Sequence, residues 1–191
     1  MKKNLFSLAI MALLSAAATT TVSAQATMTA GTVMVGGEAM YPNKDIVANA
    51  VNSKDHTTLV AAVKAAGLVE TLQGKGPFTV FAPVNDAFEN LPAGTVETLL
   101  KPESKATLAK VLTYHVVAGN MTADKLMSAI KAGKGKASLK TVSGGTLVAS
   151  MNGARNMVLT DESGNTTSIS TYDVMQSNGV IHVIDKVMLP K

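Results

Sequence analysis

The chain has 191 residues, 47% hydrophobic and 16% charged, which suits one globular domain with a sizeable core. Its formal charge of +4 includes Lys2 and Lys3 of a candidate leader, and the +2 that remains without them gives no argument for nucleic-acid binding. Cysteine is absent, which excludes disulfides and the lipid-bearing cysteine of a bacterial lipoprotein; tryptophan is absent too and aromatics are only 4%, so Val, Leu, Ile, Ala and Met must fill the core.

Residues 1–24 read as an export signal. Lys2 and Lys3 supply a positive start, Leu5 to Ala18 an apolar stretch too short to span a bilayer comfortably, and Val22-Ser23-Ala24 the small residues of a cleavage site. Cleavage is expected after Ala24. Residues 25–42 show no clear period, and Gly36-Gly37 is expected to break any regular element, so this stretch reads as a flexible N-terminal arm. Met28, Met34 and Met40 recur in it every six residues and read as adaptable packing, since a copper(I) site wants thioethers closer together.

The domain proper is expected over 43–191. Asn43 or Lys44 leads into a helix with Ile46, Val47, Ala50 and Val51 on one face. Thr57 is placed to cap a second helix, with Leu59, Val60, Val63 and Ala66 inward and Gly67 as its stop. Leu68, Val69 and Leu72 continue the packing. Phe78 to Ala82 then alternates as a short buried strand, which Pro83 ends because proline cannot donate to a sheet ladder. Asn85 or Asp86 is expected to cap a helix bearing Ala87, Phe88 and Leu91. A strand that turns at a proline into a capped helix is a corner, and it fixes two layers relative to each other.

Further helices follow at Val96, Leu99 and Leu100, then from Pro102 with Leu108, Val111 and Leu112 inward, then from Thr122 with Leu126, Met127 and Ile130 inward. From Ala137 the character is β, with hairpin turns at Ser143-Gly144-Gly145 and Asn152-Gly153 and a longer one at Asp161 to Asn165. Thr146 to Met151, Asn156 to Thr160, the segment around Ile169 and Tyr172, and Val180 to Ile184 after Asn178-Gly179 are the strands. Helices first and a β meander last imply an α+β layout.

Three segments carry a family resemblance. Thr79-Val80-Phe81-Ala82-Pro83, with Asn85, Ala87 and Phe88 after it, resembles the first signature of fasciclin domains. Asn178 to Pro190 resembles the second, and Val111-Leu112-Thr113-Tyr114-His115-Val116-Val117 resembles the tyrosine-histidine motif between them. The run Gly36 to Pro42 is similar to the lead-in of small stand-alone secreted bacterial members. The resemblance implies a wedge-shaped β-sandwich of about seven strands with helices packed at one side. It also implies adhesion or matrix contact, for which the Tyr114-His115 motif has been proposed as a determinant in animal members.

The residues argue against catalysis. His56, His115 and His182 lack metal-ligand spacing, no nucleophile elbow accompanies His182 and Asp185, and neither a dinucleotide fingerprint nor a P-loop is present. No cofactor and no metal are expected; Asp161 to Asn165 is oxygen-rich but reads as a solvated hairpin tip, lacking the spacing of a calcium loop. Lys131, Lys134, Lys136 and Lys140 cluster within ten residues, broken by Gly133 and Gly135, and read as a solubilising loop or as binding candidates for an acidic polysaccharide, a sulfated glycan or extracellular DNA. Tyr114 and His115 are the other candidates, although Val111, Leu112, Val116 and Val117 around them favour a packing role. The expectation is therefore an exported, periplasmic or extracellular, non-enzymatic protein that binds surface or matrix proteins or glycans. The alternative is a periplasmic carrier of a small apolar or lipid-like ligand held between sheet and helices.

Overall fold

The corner strand is β3, Phe78–Pro83, in the computed structural model, which describes residues 31–154 and 156–191. It runs antiparallel to β4, Val116–Ala118, and parallel to β9, Gly179–Ile184, with Thr79 opposite both Val117 and Val180. The two signature-like segments are thus hydrogen-bonded neighbours, although most of the domain lies between them in sequence. A parallel pair needs a crossover, and here everything from α4 to β8 serves as one. Both faces of β3 and β9 are covered, which explains why they read as nearly continuous apolar runs.

The rest of the sheet is an antiparallel meander of β5 (Lys136–Lys140), β6 (Thr146–Asn152), β7 (Asn156–Thr160) and β8 (Thr166–Gln176). The seven strands are ordered β4-β3-β9-β8-β7-β6-β5. Strand β8 pairs through its start with β7 and through the rest with β9, with register shifts between Ile169 and Val174. Such irregularities bend a strand, and the sheet folds over on itself into a nearly closed sandwich. A bridge between Val117 and Thr141 brings its two ends together.

Helices α1 (Ile46–Ala50), α2 (Thr57–Ala66), α3 (Val69–Gln73), α4 (Asn85–Glu89), α5 (Thr95–Leu99) and α6 (Lys105–Tyr114) precede β4, and α7 (Ala123–Ala132) follows it. Val80, Ala82, Ile181 and Val183 face Leu59, Val63, Leu72 and Leu112 of the helices in one core. Phe81 and Ile184 point the other way, into a second core with Tyr114, Leu126, Leu147 and Leu159. The α+β sandwich with helices at one side is the observed architecture.

Several local expectations need correction. The stretch read as an arm contains a hairpin, β1 (Val33–Val35) and β2 (Glu38–Met40), whose Val35 and Met40 are buried. Gly36 and Gly37 turn the chain rather than break it: their φ values of 61° and 77° suit a two-residue turn with both central residues left-handed. Met34 is exposed while Met40 is core, and Met28 lies outside the described residues, as does the whole leader. Val51, expected inward, is exposed.

The caps are also supplied differently. Asp45 caps α1, its carboxylate accepting from the Ala48 amide at 2.8 Å. Asn85, expected to cap its own helix, caps α2 instead: its Oδ1 accepts from the Thr58 amide at 3.0 Å and its Nδ2 donates to the Lys54 carbonyl. Thr122 makes no side-chain cap; Asp173, at a positive φ in the irregular part of β8, accepts from the Ala123 amide at 2.8 Å. The starts of α2 and α7 are satisfied by residues distant in sequence, which no local pattern reveals.

Candidate functional site

The four candidate lysines lie along one helix-to-strand connection. Lys131 lies in the last turn of α7, Lys134 at a left-handed position (φ 55°) between Gly133 and Gly135, and Lys136 and Lys140 on the outward side of β5. All four are exposed, while Ala137 and Leu139 alternate inward. Gly133 is needed for a close approach, since a Cβ there would stand 1.9 Å from the Lys136 carbonyl oxygen. Among the described residues the one ion pair is Lys54 with Glu38, so none of the four ammonium groups is tied to a carboxylate. The result is an unpaired basic edge on a rigid helix-to-strand connection.

Tyr114 and His115 lie inside the domain and offer a partner almost no surface. The Tyr114 hydroxyl donates to the Thr146 carbonyl at 2.8 Å and accepts from the Glu162 amide at 3.1 Å, and its ring lies on Gly145. His115 Nδ1 donates to the Val111 carbonyl at 2.8 Å, leaving Nε2 to accept from the Met188 amide at 3.0 Å. Burial pushes its pKa down to about 4, against a smaller opposite effect of the Val111 hydrogen bond, so the ring is neutral. The pair therefore ties the end of α6 to the sandwich on one side and to the C-terminal segment on the other. In this structure both side chains are buried and pack inside, as the apolar residues around them suggested.

The remaining polar candidates are also occupied. Asp161 is buried rather than solvated, accepting from the Ser163 and Asn165 amides at 2.9 and 2.8 Å and from the Asn165 side chain at 3.0 Å. Its oxygens hold the loop from within, while Ser163, Gly164 and Asn165 at the tip are exposed, as expected of a solvated hairpin tip. His182 Nε2 donates to the Met121 carbonyl at 2.8 Å, and its ring stacks on Phe81. Asp185, the suggested triad partner, accepts from Thr167 and Ser168 instead.

A second feature is an apolar cleft of about 70 Å³ between α1, α2 and α3 on one side and β3, β4 and β9 on the other. Two imidazoles, His56 and His115, reach its wall, and Lys64 and Val142 stand where it meets the surface.

A fasciclin domain model matches residues 54–190. The chain belongs to the fasciclin domain family. It is 48% identical over 145 residues to protein sll1483 of Synechocystis, which spans 76% of this chain and 73% of that protein. It is 32% identical over 161 residues to the cell surface glycolipoprotein MPB83 of Mycobacterium bovis, 82% of this chain and 64% of the other. The domain pair of the insect cell adhesion molecule fasciclin I has the same fold, with a TM-score of 0.69 at 17% identity over 78% of this chain and 51% of that one.

In this fasciclin domain the first and second signatures are paired strands, and the tyrosine-histidine motif is the clasp that holds the chain's end against them. Sequence reading missed Asn178 as a hub. Its Oδ1 accepts from the Ile46 amide at 3.1 Å, and its Nδ2 donates to the Leu72 and Gly74 carbonyls. His56, named from the sequence only for lacking metal-ligand spacing, is a buried structural histidine. The spacing Ser53-x-x-His56 was the available signal, and the Ser53 hydroxyl does meet His56 Nδ1 at 2.8 Å.

Proposed function

We propose that this protein is an exported, non-enzymatic surface-contact protein whose binding face is the basic edge of Lys131, Lys134, Lys136 and Lys140, and whose partners are acidic glycans or acidic protein surfaces. The observation that carries the reading is four exposed lysines, none in an ion pair among the described residues, along α7, its turn and β5. Kinship to a cell surface glycoprotein and the fold of a cell adhesion molecule support contact rather than catalysis. The same lysines discourage edge-to-edge pairing of β5, and a binding assay separates the two roles. Export rests on the leader-like residues 1–24, and the exported chain is expected to start at Gln25 on N-terminal sequencing. No helix among the described residues is long and apolar enough to cross a membrane.

The test is retention on immobilised heparin across a salt gradient. Wild-type protein is expected to elute late, and a variant with all four lysines changed to serine early, with a flatter dependence on salt. Equal elution of the two proteins would remove the edge as the contact site. One domain has one such face, so firm adhesion needs many copies on a surface.

A further inference from the structure

Two stretches of the chain carry opposite charge and lie over different cores. From Gly76 to Leu100 there are Asp86, Glu89 and Glu97 and no lysine or arginine. From Lys125 to Thr160 there are Lys125, Lys131, Lys134, Lys136, Lys140 and Arg155 and no acid. Phe88, Leu91 and Val96 of the first stretch pack into the core under the helices. Leu126, Ile130, Ala137 and Leu139 of the second pack into the sandwich interior.

The acidic stretch is also shaped to receive a side chain. Between the end of α4, the start of α5 and Thr58 of α2 lies an open groove of about 260 Å³. Phe88, Leu91 and Val96 give it an apolar wall, and Glu89 and Glu97 line it beside them. Both carboxylates are exposed, and neither is in an ion pair among the described residues. A lysine suits such a groove, because its four-carbon stem covers apolar surface while its ammonium stays with the carboxylates. An anion would meet two like charges there, and an uncharged apolar ligand would leave both carboxylates unused. The complement is on the chain itself: exposed lysines on the α7–β5 connection, with Lys134 at the turn between Gly133 and Gly135.

We propose that the basic edge of one copy docks on the Phe88 groove of a second copy, with lysines of the α7–β5 connection on Glu89 and Glu97. This deepens the adhesive reading and rests on the edge assigned there. The two patches differ, so the contact is head-to-tail: a pair still has one groove and one edge free, and further copies add to it. A row of copies supplies the repeated binding faces that firm adhesion needs. Opposite charge steers the encounter, and salt weakens it.

The test follows the exported chain by sedimentation velocity at rising concentration, with heparin retention measured beside it. At low salt the average mass is expected to rise with concentration, and at about 0.5 M salt to return to that of the monomer. The double variant Glu89→Gln with Glu97→Gln is expected to stay monomeric. Its melting temperature and heparin retention are expected to be unchanged, since both residues are exposed and lie apart from the lysines. The variant with all four lysines changed to serine is expected to stay monomeric as well. Each of these variants keeps one half of the contact, so mixing them in equal amounts is expected to give a dimer that grows no further. Wild-type protein that is monomeric at every concentration, association that survives the glutamine changes, or a mixture that stays monomeric would each overturn the proposal. Polylysine bound by a wild-type chain that stays monomeric, and lost in the glutamine variant, would give the groove to another basic partner and overturn the second copy as its occupant. Heparin retention reports separately on the adhesive reading: equal elution of the wild type and the lysine variant sinks that reading alone, whatever the mass does.

Discussion

The two cores of this domain are built from similar residues and finished differently. In the sandwich interior the large polar side chains are partnered: Tyr114 on Thr146 and Glu162, His182 on Met121, Asp161 on its own loop. Under the helices there is an open apolar cleft of about 70 Å³. A sheet that closes on itself constrains its interior from all sides, whereas short helices laid on a sheet meet it at a few places and leave gaps. The contrast assigns stability mainly to the first region and room for a ligand to the second.

The largest expected effects test that contrast directly. Leu147→Ala, in the closed interior, is expected to cost about 4–5 kcal/mol in denaturant unfolding, and Leu59→Ala, on the cleft wall, about 2–3 kcal/mol because less packing is lost. Equal losses would mean that the two cores are packed alike. Gly179→Ala is expected to cost about 3 kcal/mol or more, since its Cβ would stand 2.0 Å from the Phe78 carbonyl oxygen. The demand here is the close approach of β3 and β9, not a left-handed turn.

Acid should expose the burial of the histidines. Folded His115 takes up a proton only near pH 4, while the same ring in the unfolded chain does so near pH 6.5. Between those values the unfolded state binds more protons, so stability falls as pH is lowered, by about 2 kcal/mol from pH 6.5 to 5 for this ring alone. His56 and His182, also lowered by burial, act in the same direction. A flat stability profile over that range would contradict their burial. Removing only the hydroxyl, in Tyr114→Phe, should cost about 1–2 kcal/mol by leaving the Thr146 carbonyl and Glu162 amide unmatched. The smallest effect is expected for the lysine edge: each Lys→Ser change should alter stability by less than about 0.5 kcal/mol while heparin retention falls.

Much of the fold was legible because its signals are local. The apolar faces of α2 and α6, the Gly67 stop, the Pro83 end of β3 and the glycine turns of the meander all follow from periodicity and backbone preference over a few residues. The lysine edge was legible for the same reason, since its four members lie within ten residues. The hairpin before α1 was not: Gly36-Gly37 suits a turn as well as a break, and its short strands are held by burying Val35 and Met40 against elements far along the chain.

By itself, then, the sequence determined most of the helices and the strands of the main sheet, most of their apolar faces, and the family, since those depend on neighbours along the chain. Only the tertiary structure decided which distant residue finishes each element. Asn85 serves α2, Asp173 serves α7, and Asn178 binds α1 and α3 to the start of β9. It alone decided that Tyr114 and His115 tie the end of α6 to the sandwich and to the C-terminal segment. A hydrogen bond is satisfied or missed in three dimensions, and the partners of a polar group in a folded chain are set by packing, not by spacing.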